Sequence, residues 1–161
     1  MEVEMDPFYA AFADRLQTMM RGLDEALTGL PPAALDWSPG PELNTLGVLA
    51  IHTAGATRFW IGEMAGADGS NRVRAQEFAS RGQDAAALRA RLDEVLAHSL
   101  GVLARLTPAD LGAERTHPQS GQTCTVAWAL LHALDHLSEH VGHAQMTRQL
   151  WLGRQPGSDQ A

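Results

Sequence analysis

Seven histidines occur in this chain of 161 residues, and four of them fall in one short run: His132, His136, His140 and His143. On a helix, side chains four residues apart sit about 40° apart and one turn up. His132, His136 and His140 therefore form a ladder, with His143 beside it at i+3. Leu130, Leu134, Leu137, Val141 and Met146 flank this ladder, which turns part of it inward. Imidazoles in a core are costly unless something accepts their nitrogens. A divalent metal does so, and an i,i+4 His pair is a common way for one helix to supply two ligands.

A third ligand must come from another element, and His52 fits best. It stands alone in an apolar stretch beside Leu49, Ile51, Phe59 and Trp60, where a buried imidazole needs a partner. Three neutral imidazoles leave positions open for water or substrate, the pattern of a reactive site. A metal so held lowers the pKa of bound water or a thiol to about 7. The spacing also admits a plainer reading, with His52 satisfied in the core and the ladder decorating a surface. His132, His143 and Glu139, next to His140, are candidates for hydrogen bonding around the ligands or for serving as alternative ligands. His98 and His117 have no partners nearby in sequence and are expected to face solvent.

Four segments of helical periodicity must position these residues. The first spans about residues 7–27, capped by Asp6 with Pro7 at its first position, and carries a stripe of Phe8, Phe12, Leu16, Met19, Met20, Leu23 and Leu27. The second starts after Asn44 or Thr45 and reaches about Met64. A loop with Arg72, Arg74 and Arg81 follows. The third spans about residues 84–106, capped by Asp84 and stopped by Thr107-Pro108. The fourth starts near Thr123 or Thr125 and reaches Leu152, with Gly153 and Pro156 after it. No segment shows the strict alternation of a half-buried strand, so the expected architecture is all-α, a four-helix bundle in a single domain over residues 1–161.

Leu30 to Leu35 (LPPAAL) resembles Leu106 to Leu111 (LTPADL), and residues 45–52 (TLGVLAIH) match residues 125–132 (TVAWALLH) without a gap. The chain thus reads as two helical hairpins of similar design with long connections. The second and fourth helices then occupy equivalent places, and residues midway along both can converge.

Composition narrows the partners. The formal net charge is −7, and all 12 basic residues are Arg. That balance argues against nucleic acid, which needs a basic face to neutralise phosphate, and against an anionic membrane surface. No stretch approaches the ~20 apolar residues of a membrane-spanning helix. The acidic start lacks the apolar core of a signal peptide. The single cysteine, Cys124, fits a reducing cytoplasm. It sits at the predicted start of the fourth helix, where the dipole can lower a thiol pKa, although a small packing role suits Cys better. Arg58 and Arg148 lie within reach of the histidines in sequence, yet are expected on solvated faces.

The segments 46–60 (LGVLAIHTAGATRFW) and 131–144 (LHALDHLSEHVGHA) resemble the second and fourth helices of DinB/YfiT-like proteins, most of all members described as mycothiol- or bacillithiol-dependent transferases. Trp37 and Pro39, ahead of the second helix, fit the same pattern. The resemblance implies a four-helix bundle, commonly a homodimer, with a long crossing between the second and third helices. It implies a divalent metal held by His52, His136 and His140, with zinc or nickel the expected ion. His132 falls one turn early and is not an expected ligand. The position of His136 is Glu in some relatives, and His143 stands where other branches have Gln. The implied activity is a thiol S-transferase in which the metal activates a low-molecular-weight thiol toward a small-molecule electrophile. Metal-assisted hydrolysis and a non-catalytic metal- or ligand-binding module are the alternatives.

Overall fold

The computed structural model describes residues 5–154, so residues 1–4 and Pro156 lie outside the description. Four long helices form the bundle: α1 (Pro7–Leu27), α3 (Leu46–Thr57), α5 (Ala85–Leu103) and α6 (Val126–Gly153). Two one-turn helices, α2 (Pro32–Leu35) and α4 (Arg74–Phe78), sit in the connections. Among the described residues, no helix is long and apolar enough to cross a membrane.

Each long helix starts at a capped residue. The side chains of Asp6, Thr45, Asp84 and Thr125 accept hydrogen bonds from the amides of Phe8, Val48, Ala87 and Trp128, which would otherwise lack partners. Thr45 and Thr125 are equivalent in the sequence repeat, and both cap the amide three residues on. The other repeated segment also gives similar structure: α2 in the first half, a 3₁₀ turn over Pro108–Gly112 in the second.

Helix α1 packs on α5 and α6, and α3 packs on the same two. Thus α1 and α3 occupy opposite corners, as do α5 and α6. The connections at residues 28–45 and 104–125 cross these diagonals. The connection between the second and third long helices, at residues 66–84, is also long, but it joins neighbours. Leu16, Leu23, Leu46, Leu103, Leu130 and Leu137 are among the fully buried side chains filling the centre.

Several local expectations change. Tyr9 replaces Phe8 on the inner stripe of α1, because its hydroxyl can donate to Thr107 O (2.8 Å) while its ring is buried. Phe8 is 41% exposed, and Met146 on α6 is exposed too. The second helix continues to Ala65, but from Arg58 it widens to π-helical turns, with Gly66 N bonded to Ile61 O. The chain also contains two short strands, β1 (Glu114–Thr116) and β2 (Thr123–Thr125), paired antiparallel. Three residues per strand are too few for alternation to be visible in sequence. Gly121, at φ +72°, makes the turn between them.

Thr45→Ala removes a buried cap from α3 and leaves the Val48 amide without its acceptor. We expect a stability loss of about 1 kcal/mol, read as a lower urea midpoint at unchanged m-value.

Candidate metal centre

Helix α3 contributes His52, which is buried, and α6 contributes His136 and His140, both half-buried. The ligand nitrogens of all three lie within 4.8 Å of one another. His52 Nε2 is 3.1 Å from His136 Nε2, and His140 Nε2 is 3.2 Å from His136 Nε2. The contact of α3 with α6 brings about this convergence. His52 aligns with His132 in the internal repeat, but the residue that meets it is His136, one turn further along.

His52 is fixed from behind. Its Nδ1 donates to Glu77 Oε2 at 2.9 Å, and Arg72 grips the same carboxylate from Nε to Oε1 (2.8 Å) and from Nη2 to Oε2 (2.9 Å). Glu77 is buried, on α4 in the 66–84 connection. Burial raises its carboxyl pKa, but the hydrogen bonds from His52 and Arg72 and their positive charge outweigh burial, so the carboxyl stays below its ordinary value. A Cβ on Gly55 would overlap Glu77 Oε1, so α3 needs a glycine where the carboxylate approaches. On the other side, His143 Nδ1 lies 3.3 Å from His140 Nδ1.

These partners set the tautomers. With the His52 proton on Nδ1 toward Glu77, its Nε2 presents a bare lone pair. The Nε2 atoms of His136 and His140 share the same small space. Burial, then the neighbouring imidazoles, push His136 down to about 3. Burial and the charges of His52 and His143 push His140 to about 4, against the opposing pull of Glu139. His136 and His140 thus resist protonation, and a divalent cation is a partner that all three imidazoles can share. Zinc–nitrogen distances of about 2.0–2.1 Å put tetrahedral ligand nitrogens roughly 3.4 Å apart, close to the 3.1 and 3.2 Å of the two pairs that include His136. The donor set fits such a metal.

The remaining candidates fall around this centre. His132 stacks on Trp128 (4.8 Å between centroids, 10° between planes) and meets Trp60 edge-on at 4.5 Å. Glu139 is exposed on the outer side of α6. His117 is half-buried rather than fully in solvent: just after β1 it packs on Phe59 (4.9 Å) and Trp60 (5.8 Å). His98 is half-buried, with Nε2 3.1 Å from Asp68 Oδ2. Arg58 donates to Gly69 O, and Arg148 donates to Ala26 O and Thr28 O, capping the end of α1. Cys124 lies in β2 rather than in α6 and packs with Phe59, Met64 and Ala129. Burial there pushes its thiol up, the opposite of activation.

A small cavity of about 270 Å³ opens beside the imidazoles, with His52 and His136 in its wall. Trp60, His117 and His132 line it with rings, and Arg72, Arg74 and Gln119 with polar groups. Glu77 was not legible as a participant. Its only sequence signal is a carboxylate near the Arg72 and Arg74 cluster.

The family model of the DinB superfamily matches residues 15–144. The fold is similar to that of a conserved protein from Enterococcus faecalis, with a TM-score of 0.71 and 18% identity over 96% of this chain and 99% of that one. It is also similar to YfiT from Bacillus subtilis, described as a probable metal-dependent hydrolase with an unusual four-helix bundle topology. That pair has a TM-score of 0.70 and 17% identity over 92% of this chain and 91% of the other. No curated protein matches the sequence.

Two measurements probe this geometry. Glu77→Gln and Gly55→Ala both disturb the support behind His52, and each should weaken zinc or nickel binding about 10–100-fold in competition titrations. Unchanged affinity in both would show that the carboxylate does not orient the ligand. In metal-free protein, His136 and His140 bind protons far less readily folded than unfolded, where their pKa is about 6.5. The unfolded chain takes up more protons between about pH 6.5 and 3, so stability must fall as pH drops through that window. Urea midpoints from pH 7.5 to 4 should show a shallower fall in a His136→Gln, His140→Gln double variant.

Proposed function

Because the chain belongs to the DinB superfamily and gathers three imidazoles at the wall of a small pocket, we propose that it is a metal-dependent thiol S-transferase acting on a small-molecule electrophile in the cytoplasm. The observation that carries this reading is the chemistry of the pocket wall. Two of the three ligand imidazoles face it, yet among the described residues no thiol, hydroxyl, amine or carboxylate lines it. A site with metal ligands and no covalent nucleophile of its own takes its nucleophile from outside.

His52, His136 and His140 would hold zinc or nickel. When bound, such an ion supplies the Lewis acidity that keeps a low-molecular-weight thiol in its thiolate form at neutral pH. Glu77 and Arg72 orient His52, and His143 partners the far nitrogen of His140. Trp60, His117 and His132 form the ring-lined part of the pocket wall beside the ligands. Cys124 takes no part, being packed away with its thiol protonated.

Hydrolysis, with water in the nucleophile's place, is the second reading. It is favoured by the description of YfiT and by His132, whose imidazole lines the same pocket and is not one of the three ligands. A homodimer belongs to the same proposal. It is supported by an exposed apolar face of α6, where Trp128, Leu131, Met146 and Leu150 fall within about 100° of arc.

The test begins with elemental analysis of untagged protein. We expect about one equivalent of transition metal in the wild type and its loss in His136→Ala. The metal-loaded protein is then supplied with a panel of small thiols and an epoxide or alkyl halide. Thioether formation above the uncatalysed rate, absent in His136→Ala, is the expected result. Turnover of activated esters without any thiol would instead select hydrolysis, and no metal in either protein would overturn both readings.

A further inference from the structure

The pocket beside the imidazoles has an electrostatic character at odds with the rest of the chain. The protein carries 19 acidic and 12 basic residues, yet this pocket is lined by two arginines, and among the described residues no Asp or Glu lines it. The two arginines differ in how they are held. Arg72 commits Nε and Nη2 to Glu77, which leaves Nη1 outside that pair. Arg74 lies over the Phe78 ring, 4.7 Å from guanidinium carbon to ring centroid, and forms no salt bridge among the described residues. Such stacking orients a guanidinium while leaving its N–H groups available.

Two further lining groups are donors or flat faces. The Nδ1 of His117 accepts from the amides of Gln119 and Ser120, both at 3.3 Å, which places the ring proton on Nε2. The Nε2–H is then the nitrogen of that ring left for a ligand. Trp60 lines the pocket with its indole, between His117 at 5.8 Å and His132 at 4.5 Å. With a volume of about 270 Å³, the pocket is at or below the small end of ligand sites, ~300–1,000 Å³.

We propose that this pocket selects a small planar carboxylate, its flat body against Trp60 and its carboxylate on Arg74, with Arg72 Nη1 and His117 Nε2–H as the other donors. The proposal rests on the reading of this site as catalytic and names the substrate class as anionic and conjugated or aromatic. A charge-assisted contact with a guanidinium discriminates strongly against a neutral analogue of the same shape. Arg74 is then the specificity-determining residue, while Arg72 mainly serves the ligand histidine.

The test reads binding alone, without thiol or turnover. Benzoate and its neutral isostere benzamide are titrated into the full-length protein, metal-free and zinc-loaded, followed by tryptophan fluorescence and calorimetry. Working metal-free separates binding at the arginine from direct coordination of the carboxylate. We expect benzoate to bind more tightly than benzamide in both forms. Arg74→Gln should weaken benzoate about tenfold while leaving benzamide unchanged. Arg89→Gln, which removes a cation paired with Asp24 outside the pocket, should change neither. Equal affinity for the two probes, no saturable binding of either, or equal effects of the two substitutions would overturn the assignment. Because the metal-free arm is independent of metal content and turnover, failure of the proposed reaction and failure of this pocket assignment are told apart.

Discussion

The buried chain of contacts from Arg72 through Glu77 to His52 is the constraint on which the site depends. A carboxylate almost never lies fully buried without partners, and this one has two cations or donors within 2.9 Å. Each contact decides something else. The Arg72 fork keeps Glu77 ionised, the ionised carboxylate keeps the His52 proton on Nδ1, and that proton leaves Nε2 bare and pointed at α6. The backbone is shaped around the same chain, since α3 carries Gly55 where any side chain would displace the carboxylate. Buried ion pairs are weak sources of net stability because desolvation offsets their attraction. Here the pair fixes one imidazole in one tautomer.

The bundle and its connections divide the work. The helices supply the three imidazoles, because a position on a packed helix is held by its neighbours along the whole core. The connections supply the surroundings of those imidazoles. Residues 66–84 bring Arg72, Arg74 and Glu77, and the β1–β2 hairpin brings His117 and Gln119. The π-helical end of the second long helix carries Phe59 and Trp60 to meet His117. Wide helical turns of this kind often occur at functional sites. Long connections are needed in any case, because α1 to α3 and α5 to α6 are diagonal pairs.

What could be read in the sequence follows the range of the forces involved. The four long helices, their caps at Asp6, Thr45, Asp84 and Thr125, and the inward turn of the histidine ladder are local consequences of periodicity and hydrogen bonding. They appear in the structure within a few residues of the expected bounds. Convergence of His52 with His136 and His140 was legible through the repeat and the family resemblance, not through spacing alone. Glu77 was not legible, since its burial depends on a loop folding back over α3. His117 was expected in solvent because nothing adjacent in sequence predicts Phe59 and Trp60 beneath it. Cys124 fell on the wrong side of a helix start, because two three-residue strands leave no periodic trace.

The internal repeat explains both a success and a misfit. It places His52 and His132 at the same step after their capping threonines, and two equivalent helices facing each other would bring those residues to comparable depths. A metal site built strictly on that symmetry would pair His52 with His132. The structure breaks the symmetry by one turn: His136 and His140 take the place opposite His52, and His132 is left against Trp60 and Trp128. The displacement has a chemical result. Two imidazoles from α6 and one from α3 meet at the edge of a pocket, and the displaced His132 lines that same pocket. Its aromatic wall thus includes the very residue the symmetry would have made a ligand.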